Sequence, residues 1–217
     1  LNKEVLRGYR ENDELGGKDP YSSSKASVEI AFEAYLRSFF FKEKKNIGIA
    51  TARAGNVIGG GDWSKNRIIP DCVKTIINQK EMIIRSPNST RPWQHVLEPI
   101  SGYLILGKKL RNKPKLYSSS YNFGPSASQT LSVKKVVDIF FQELGIRKKM
   151  LRSKSKFKES KLLKLNSNKS NKKLLWKNTW GMRKSIQETA KWYKQYIFSK
   201  KKLREFTSSQ IKQYFYD

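Results

Sequence analysis

The spacing of apolar and polar residues predicts a chain in which helices alternate with short strands. Apolar side chains recur at helical intervals over residues 21–41, and Asp19 and Pro20 supply the N-cap and the first residue that suit a helix start. Residues 47–54 form a short run of small and apolar side chains, which is typical of a buried strand. Three consecutive glycines at positions 59–61 then predict a loop after that strand.

The later periodic segments predict more elements of the same kind. Helical spacing returns over residues 68–78, 96–110, 132–144 and 182–196. Short strands are predicted over residues 82–85 and 121–125, and Thr130 is the predicted N-cap of the third of these helices. Residues 147–161 are basic with little pattern, and the polar tail after residue 198 is predicted to fray. This order of elements predicts an α/β fold built on a parallel sheet.

Composition excludes several classes of protein. The length of 217 residues suits one large domain or two small ones. The residues are 37% hydrophobic and 12% aromatic, which is enough to form a packed core and argues against a disordered polycation. The sequence has no run of about 18 apolar residues, so it contains no candidate membrane span. The single cysteine, Cys72, cannot form an internal disulfide and therefore favours a reducing, cytoplasmic compartment.

The net charge of +27 is concentrated in the second half of the chain. Residues 1–100 carry 16 basic and 12 acidic side chains, and the remaining 117 residues carry 29 and 6. One interpretation is a patch that binds nucleic acid or another anionic surface. Because no zinc-finger spacing or RNA-recognition motif accompanies the lysines, we favour the other interpretation, in which lysine-rich faces are simply solvated.

Tyr21 and Lys25 are the first candidate catalytic pair. They lie four residues apart in a predicted helix, so their side chains share one face. A cation beside a phenol stabilises the phenolate, which can then accept a proton. The same spacing also occurs by chance in many helices, so the pair alone does not identify an enzyme.

Four arginines form a second candidate set because each lies in a loop or at a strand end. They are Arg53, Arg67, Arg85 and Arg91. Arginine in such places suits bidentate recognition of phosphate, although any one of them could be an ordinary surface residue. Asn56 follows the predicted strand and could donate to a phosphate. The only histidine, His95, has no second histidine near it and lies 23 residues from Cys72, so the sequence predicts no metal site.

Five segments together resemble the extended short-chain dehydrogenase/reductase family. They are residues 8–13, 15–25, 52–63, 91–99 and 121–125. The resemblance implies a Rossmann-type doubly wound parallel sheet with a smaller α/β substrate-binding domain, and an NAD-dependent 4,6-dehydration of a nucleotide sugar of the CDP-glucose type. In that reaction NAD takes a hydride from carbon 4 of the hexose, water leaves across carbons 5 and 6, and the hydride returns to carbon 6. A related epimerase or a different nucleotide-sugar dehydratase is the alternative, because all of these enzymes use the tyrosine and lysine pair.

The resemblance also implies roles for individual residues. Tyr21 would remove the proton of the carbon-4 hydroxyl, and Lys25 would stabilise the phenolate and hold the nicotinamide ribose. The implied contacts to the cofactor NAD are Tyr21, Lys25 and Arg53. The implied contacts to the nucleotide sugar are Asn56, Arg67, Arg91 and His95.

Residues 1–58 would be the remainder of an NAD-binding Rossmann domain, and 59–198 mainly a substrate domain. The strand over 117–125 would return to the Rossmann sheet, and 199–217 would be a basic tail. The family's glycine-rich loop and elimination residues are expected upstream of residue 1, so we expect this chain alone to bind NAD poorly and not to turn over substrate. The resemblance further implies a homodimer through the helix that carries Tyr21. Leu175 and Asn178 stand where the family usually has glycine and proline.

Overall fold

The computed structural model describes residues 3–41, 46–125, 130–147, 150–152, 162–199 and 202–216. Its helices are α1 Pro20–Tyr35, α2 Ile68–Ile77, α3 Leu97–Asn112, α4 Pro114–Tyr117, α5 Val133–Leu144, α6 Met182–Lys194 and α7 Leu203–Tyr216. Its strands are β1 Thr51–Ala54, β2 Asn56–Ile58, β3 Met82–Ile84, β4 Thr90–Arg91, β5 Trp93–His95, β6 Ser120–Phe123, β7 Leu131–Ser132 and β8 Met150–Arg152. π-Helical turns follow α1 and α6 and precede Leu175; they are Leu36–Phe40, Gln195–Ser199 and Ser170–Leu174.

The strands pair mainly in parallel, which confirms the predicted fold class. Within the described residues, parallel pairs join β1 to β6, β2 to β5 and β3 to β8, and one antiparallel pair joins β4 to β7. Each parallel pair joins strands distant in sequence, with helices in the intervening chain, as parallel pairing requires.

The main core lies around α2, α5 and α6. α5 begins at Ser132, whose hydroxyl accepts the Lys135 amide N–H at 3.3 Å, and ends at Gly145, whose φ of +73° forms a left-handed cap. Its buried face packs on α6, where Ile186, Ala190 and Tyr193 are fully buried. A second cluster forms where α3 covers β6 and includes Leu106, Tyr121, Phe123, Leu174 and Trp176.

Three predictions of local structure were wrong. The strand predicted over 47–54 is confined to Thr51–Ala54, because only these residues pair with β6. Ser132, not Thr130, caps α5. Leu131 and Ser132 form β7 and pair with β4, so the helix begins only after them. The tail does not fray over Leu203–Tyr216, where Tyr214 packs on Trp180 and α7 is held on the body of the molecule.

Part of the basic stretch at 147–161 lies outside the described residues, as do Lys200 and Lys201 of the tail. Within the described part of that stretch, Met150–Arg152 forms β8 beside β3. No helix in the described part of the chain combines the length and apolar character that crossing a membrane requires.

Candidate active site

The first candidate site is a groove of about 750 Å³ beside α1 and β1, which we call the tyrosine groove. Tyr21, Lys25 and Arg53 all line it, so the structure brings together the three predicted cofactor contacts. α1 begins here because the Asp19 carboxylate caps it. The carboxylate accepts hydrogen bonds from the Ser22 amide N–H at 3.0 Å and from the Ser22 hydroxyl at 2.7 Å. These hydrogen bonds hold the pKa of Asp19 below its usual value. The cap fixes Tyr21 in the first turn.

Tyr21 and Lys25 project from one face of α1, as their spacing predicts. The Lys25 ammonium nitrogen lies 5.7 Å from the centroid of the Tyr21 ring. Tyr21 is 69% exposed, so its phenol is accessible from the groove. A ligand in the tyrosine groove could therefore contact the phenol and the ammonium together.

Arg53 is held in place by Glu29. Its Nη2 lies 2.7 Å from Oε2 of Glu29, and its Nη1 donates to the backbone oxygen of Glu11 at 3.2 Å. The same Glu29 oxygen accepts the Thr51 hydroxyl at 2.8 Å. Burial opposes ionisation of Glu29, but the hydrogen bonds from Arg53 and Thr51 outweigh it and keep the pKa of Glu29 below its ordinary value. Arg53 therefore ties α1 to β1, and its buried Nε has no hydrogen-bond partner in the described part of the chain.

The second candidate site is a pocket of about 190 Å³ lined by Asn56, Arg67, Arg85 and Arg91, which we call the arginine pocket. These four residues come from four separate segments of the chain, and Asn56, Arg67 and Arg91 among them are predicted substrate contacts. Among the described residues, neither Arg67 nor Arg85 forms an ion pair with a carboxylate within 4.0 Å. Two arginines therefore remain available for an external anion.

The amino terminus of α2 also lines the arginine pocket, a contribution that sequence reasoning missed. Arg67 occupies the N-cap position, and no side chain caps the helix. Ile68 and Ile69, the first two residues of α2, line the pocket, and their backbone N–H groups belong to the positive end of the helix dipole. Pro70, tolerated in the first turn of a helix, was the available sequence signal for this start.

Asp62 and Asp71 place carboxylates beside these cations. Burial raises the pKa of Asp71, while Lys74 and Arg85 act in the opposite direction. Carboxylates in such a pocket can accept hydrogen bonds from ligand hydroxyls.

The groove and the pocket lie along one stretch of chain. Ala54 at the end of β1 lines the tyrosine groove, and Asn56 at the start of β2 lines the arginine pocket. Two residues of extended chain span about 7 Å, which is shorter than a nucleotide sugar. Ala54 and Asn56, which contribute to the two linings, therefore lie closer together than the two ends of such a ligand.

The structure does not place His95 in the lining of either site, so its role as a substrate contact stays a prediction. Its ring is 3% exposed and packs edge-on against Trp180 at a centroid distance of 4.9 Å. Nδ1 accepts the Leu97 amide N–H at 3.3 Å, and Nε2 has no hydrogen-bond partner in the described part of the chain. Burial lowers the pKa of His95 to about 4, against a smaller opposing effect of Glu188. All three residues of β5 are buried between neighbouring elements, which removes this side chain from solvent.

Glu98, in the same matched segment, is also structural. Its buried carboxylate accepts the Trp180 amide at 2.6 Å, the Thr179 amide at 3.1 Å and the Tyr214 hydroxyl at 2.9 Å. Burial raises the pKa of Glu98, and these hydrogen bonds only partly oppose it. The carboxylate thus joins α3 to α7 and to the segment that precedes α6. Elsewhere in the described ranges, no group of three His, Cys, Asp or Glu side chains could hold a metal ion.

The chain is similar in sequence to two curated nucleotide-sugar dehydratases. The chain is 41% identical over 200 residues to CDP-glucose 4,6-dehydratase of Salmonella typhimurium, an alignment that covers 90% of this chain and 56% of that protein. A shorter alignment at 26% identity, over 109 residues, matches dTDP-D-glucose 4,6-dehydratase of Dictyostelium discoideum and covers 50% of this chain and 24% of that protein. No family model matches. The chain thus spans about half the length of its first curated relative.

Solved structures show the same fold. A dTDP-glucose 4,6-dehydratase from Bacillus anthracis, in complex with NAD, superposes with a TM-score of 0.70 at 21% identity, covering 90% of this chain and 57% of that one. A UDP-glucuronic acid 4-epimerase from Bacillus cereus gives a TM-score of 0.68 at 18% identity and covers 86% and 58%. The 41% identity confirms the predicted resemblance to a CDP-glucose 4,6-dehydratase, and the solved structures confirm the predicted fold.

Proposed function

We propose that this chain forms part of an enzyme that dehydrates CDP-glucose to CDP-4-keto-6-deoxyglucose with NAD as cofactor. The observation that carries the proposal is the arginine pocket, where three arginines and the amino terminus of α2 line one cavity. A nucleoside diphosphate is the ligand that this arrangement suits, because planar guanidinium groups and helix N–H groups both recognise phosphate oxygens. The 41% identity to a CDP-glucose 4,6-dehydratase supports the choice of nucleotide and reaction.

In this proposal the arginine pocket holds the diphosphate. Arg67, Arg85 and Arg91 pair with its oxygens, and the Asn56 amide donates to the same group. The hexose then extends along the β1 to β2 segment into the tyrosine groove. The binding energy of the diphosphate orients the reacting sugar, although these residues touch no reacting atom.

The chemistry is assigned to Tyr21 and Lys25. The phenolate of Tyr21 accepts the proton of the carbon-4 hydroxyl, and the Lys25 ammonium stabilises the phenolate. The groove fits the nicotinamide end of NAD, since it offers an accessible phenol and an ammonium. Tyr21 and Lys25 would hold the cofactor there, with Arg53 at the groove wall. When bound, NAD supplies the acceptor and later the donor of the hydride.

The division of the chain follows from the same proposal. Residues 1–58 would belong to the NAD-binding domain and residues 59–198 to the substrate domain. The parallel pairing of β6 with β1 supports the return of that strand to the first domain.

A homodimer through α1 is the proposed assembly. Val28, Tyr35 and Phe39 lie on one face of this helix and the turn that follows it, and each is more than half exposed. An apolar helix face of this kind suits helix packing against a second copy. The single buried thiol of Cys72 is compatible with a reducing cytoplasm, and the product suits the synthesis of deoxysugars for surface polysaccharides such as lipopolysaccharide.

Calorimetric titration with CDP tests the proposal on this chain. We expect Arg67→Gln and Arg85→Gln each to weaken CDP binding about tenfold, because each removes one charged contact to phosphate. Arg37→Gln is the matched control, since this arginine pairs with Glu33 on the exposed side of α1. Equal affinity for CDP, UDP and dTDP would instead favour a related epimerase or dehydratase.

Turnover tests the reaction in the longer protein that contains this chain. Incubation with CDP-glucose and NAD is expected to give a product that has lost one water, detected by mass spectrometry. Tyr21→Phe should abolish the product while leaving CDP affinity unchanged. Epimerisation without loss of water would contradict the proposed reaction.

A further inference from the structure

The glycine-rich loop from Gly59 to Trp63 has two faces with different contacts. Gly59 and Asp62 line the arginine pocket on one side. Gly60 and Trp63 lie against α6 and the turn that follows it on the other side. The loop therefore transmits the position of α6 to the pocket wall.

Position 60 requires glycine because a neighbouring side chain leaves no room for a Cβ atom, and not because its backbone is left-handed. A Cβ atom added at this position would overlap the indole ring of Trp192. Its φ lies outside the left-handed region, whereas the next residue, Gly61, has a φ of +82°. Packing against a side chain 132 positions later in the sequence thus excludes every larger residue at position 60.

Trp192 is itself held by two neighbours. Its indole Nε1 donates to the Thr207 hydroxyl of α7 at 2.9 Å. Its ring stacks on Tyr196 with the planes at 7° and the centroids 6.0 Å apart. Thr207 of α7 and Tyr196 of the turn after α6 therefore together hold the ring on which the loop rests.

The rest of the loop is tied to the same region and to α2. The Tyr193 hydroxyl donates to the backbone oxygen of Asp62 at 2.6 Å, and Trp63 packs edge-on against the Tyr193 ring at 5.6 Å. The ammonium of Lys74 in α2 donates to the backbone oxygen of Trp63 at 2.9 Å. Four residues after Trp63 the chain reaches Arg67, at the N-cap position of α2. Displacement of the loop would therefore move a cation of the arginine pocket.

We infer that Gly60 and Trp192 are positioning residues for the arginine pocket and set its affinity for a nucleoside diphosphate. The inference rests on the function proposed above and deepens it, because neither residue lines the pocket. Gly60 admits the indole ring, the ring supports the loop, and the loop places Asp62 at the pocket wall and Arg67 at the diphosphate.

Gly60→Ala is the variant that tests this inference. We expect it to weaken CDP binding about tenfold in calorimetric titration and to shift the backbone amide resonances of Asn66 and Arg67 in a ¹H–¹⁵N spectrum recorded without ligand. Gly107→Ala is the matched control, because a Cβ at that position of α3 meets nothing within 4 Å. The control should leave both readouts unchanged.

Rescue distinguishes positioning from simple loss of structure. In the double variant Gly60→Ala/Trp192→Phe the smaller ring still supports the loop and makes room for the added methyl group, so the Asn66 and Arg67 resonances should return towards their original positions and CDP affinity should recover. Unshifted resonances in Gly60→Ala, or no recovery in the double variant, would overturn the inference whether or not CDP binds. Failure of the unaltered chain to bind CDP would count against the proposed function, while the resonances still decide the positioning role.

Discussion

The two candidate sites lie on regions that are built in different ways. Around the arginine pocket, α5 buries an apolar face of six residues against α6, and α2 adds Ile69, Cys72 and Val73. α1 beside the tyrosine groove buries only Ala26 along its sixteen residues. Its connection to β1 depends on the polar contacts of Glu29 with Arg53 and Thr51. The arginine pocket thus rests on a closed apolar core, whereas the tyrosine groove depends on a few directional contacts.

The largest expected effect comes from breaking the closed core. Phe140→Ala should lower the free energy of unfolding by about 4 kcal/mol, because the ring is fully buried against Phe141 and Tyr193 and its loss leaves a cavity. Phe39→Ala is the matched change near α1, where the ring is 52% exposed, and should cost about 0.5 kcal/mol. Denaturant unfolding measures both, and equal losses would contradict the contrast.

His95 provides a pH-dependent test of the same closed region. Burial lowers its pKa from an ordinary 6.5 to about 4, so between these values the unfolded chain binds the proton and the folded chain does not. Stability is therefore lost as pH falls from 6.5 to 4, by about 3 kcal/mol from this group.

Unfolding titrations of the unaltered chain and of His95→Gln isolate the contribution of His95 from that of other groups. The difference in unfolding free energy between the two proteins should change over this pH range and remain level above it. A difference that stays constant from pH 4 to 7 would show that the imidazole is not desolvated.

The polar connection at the tyrosine groove should be weaker than the core but measurable. Glu29→Gln leaves the partly buried Arg53 without its carboxylate and should cost about 2 kcal/mol. Glu33→Gln breaks an exposed pair with Arg37, four residues away on the same helical segment, and should cost about 0.3 kcal/mol. Thermal unfolding of the two variants compares them directly, and a larger loss for Glu33→Gln would refute the assigned role of Glu29.

The smallest expected effect is a gain in stability at Leu175. This residue has a φ of +60°, which is unfavourable for a side chain with a Cβ, and it is 74% exposed. Leu175→Gly should therefore stabilise the chain by about 1 kcal/mol. Leu104→Gly, at an exposed position within α3, should destabilise it by about the same amount. If both changes destabilise, the left-handed turn is supported by contacts of the leucine side chain.

Local patterns predicted most elements but not where they begin or what they meet. The helices α5 and α6 could be predicted from the sequence because their apolar residues recur every three or four positions. The start of α5 was misplaced, since Ser132 acts as the cap only after β7 pairs with β4. α7 was missed because its composition is polar, and its burial depends on Gln210 and Tyr214 meeting Glu188 and Glu98.

The candidate site divides in the same way. The sequence by itself determined that Tyr21 and Lys25 share a helix face, because helical geometry acts over four residues. Only the tertiary structure decided that Arg67, Arg85 and Arg91 share a pocket, that His95 is enclosed, and that Gly60 must leave room for Trp192. The physical reason is range: turns and helix faces follow from neighbouring residues, whereas convergence and burial follow from contacts between segments far apart in the chain.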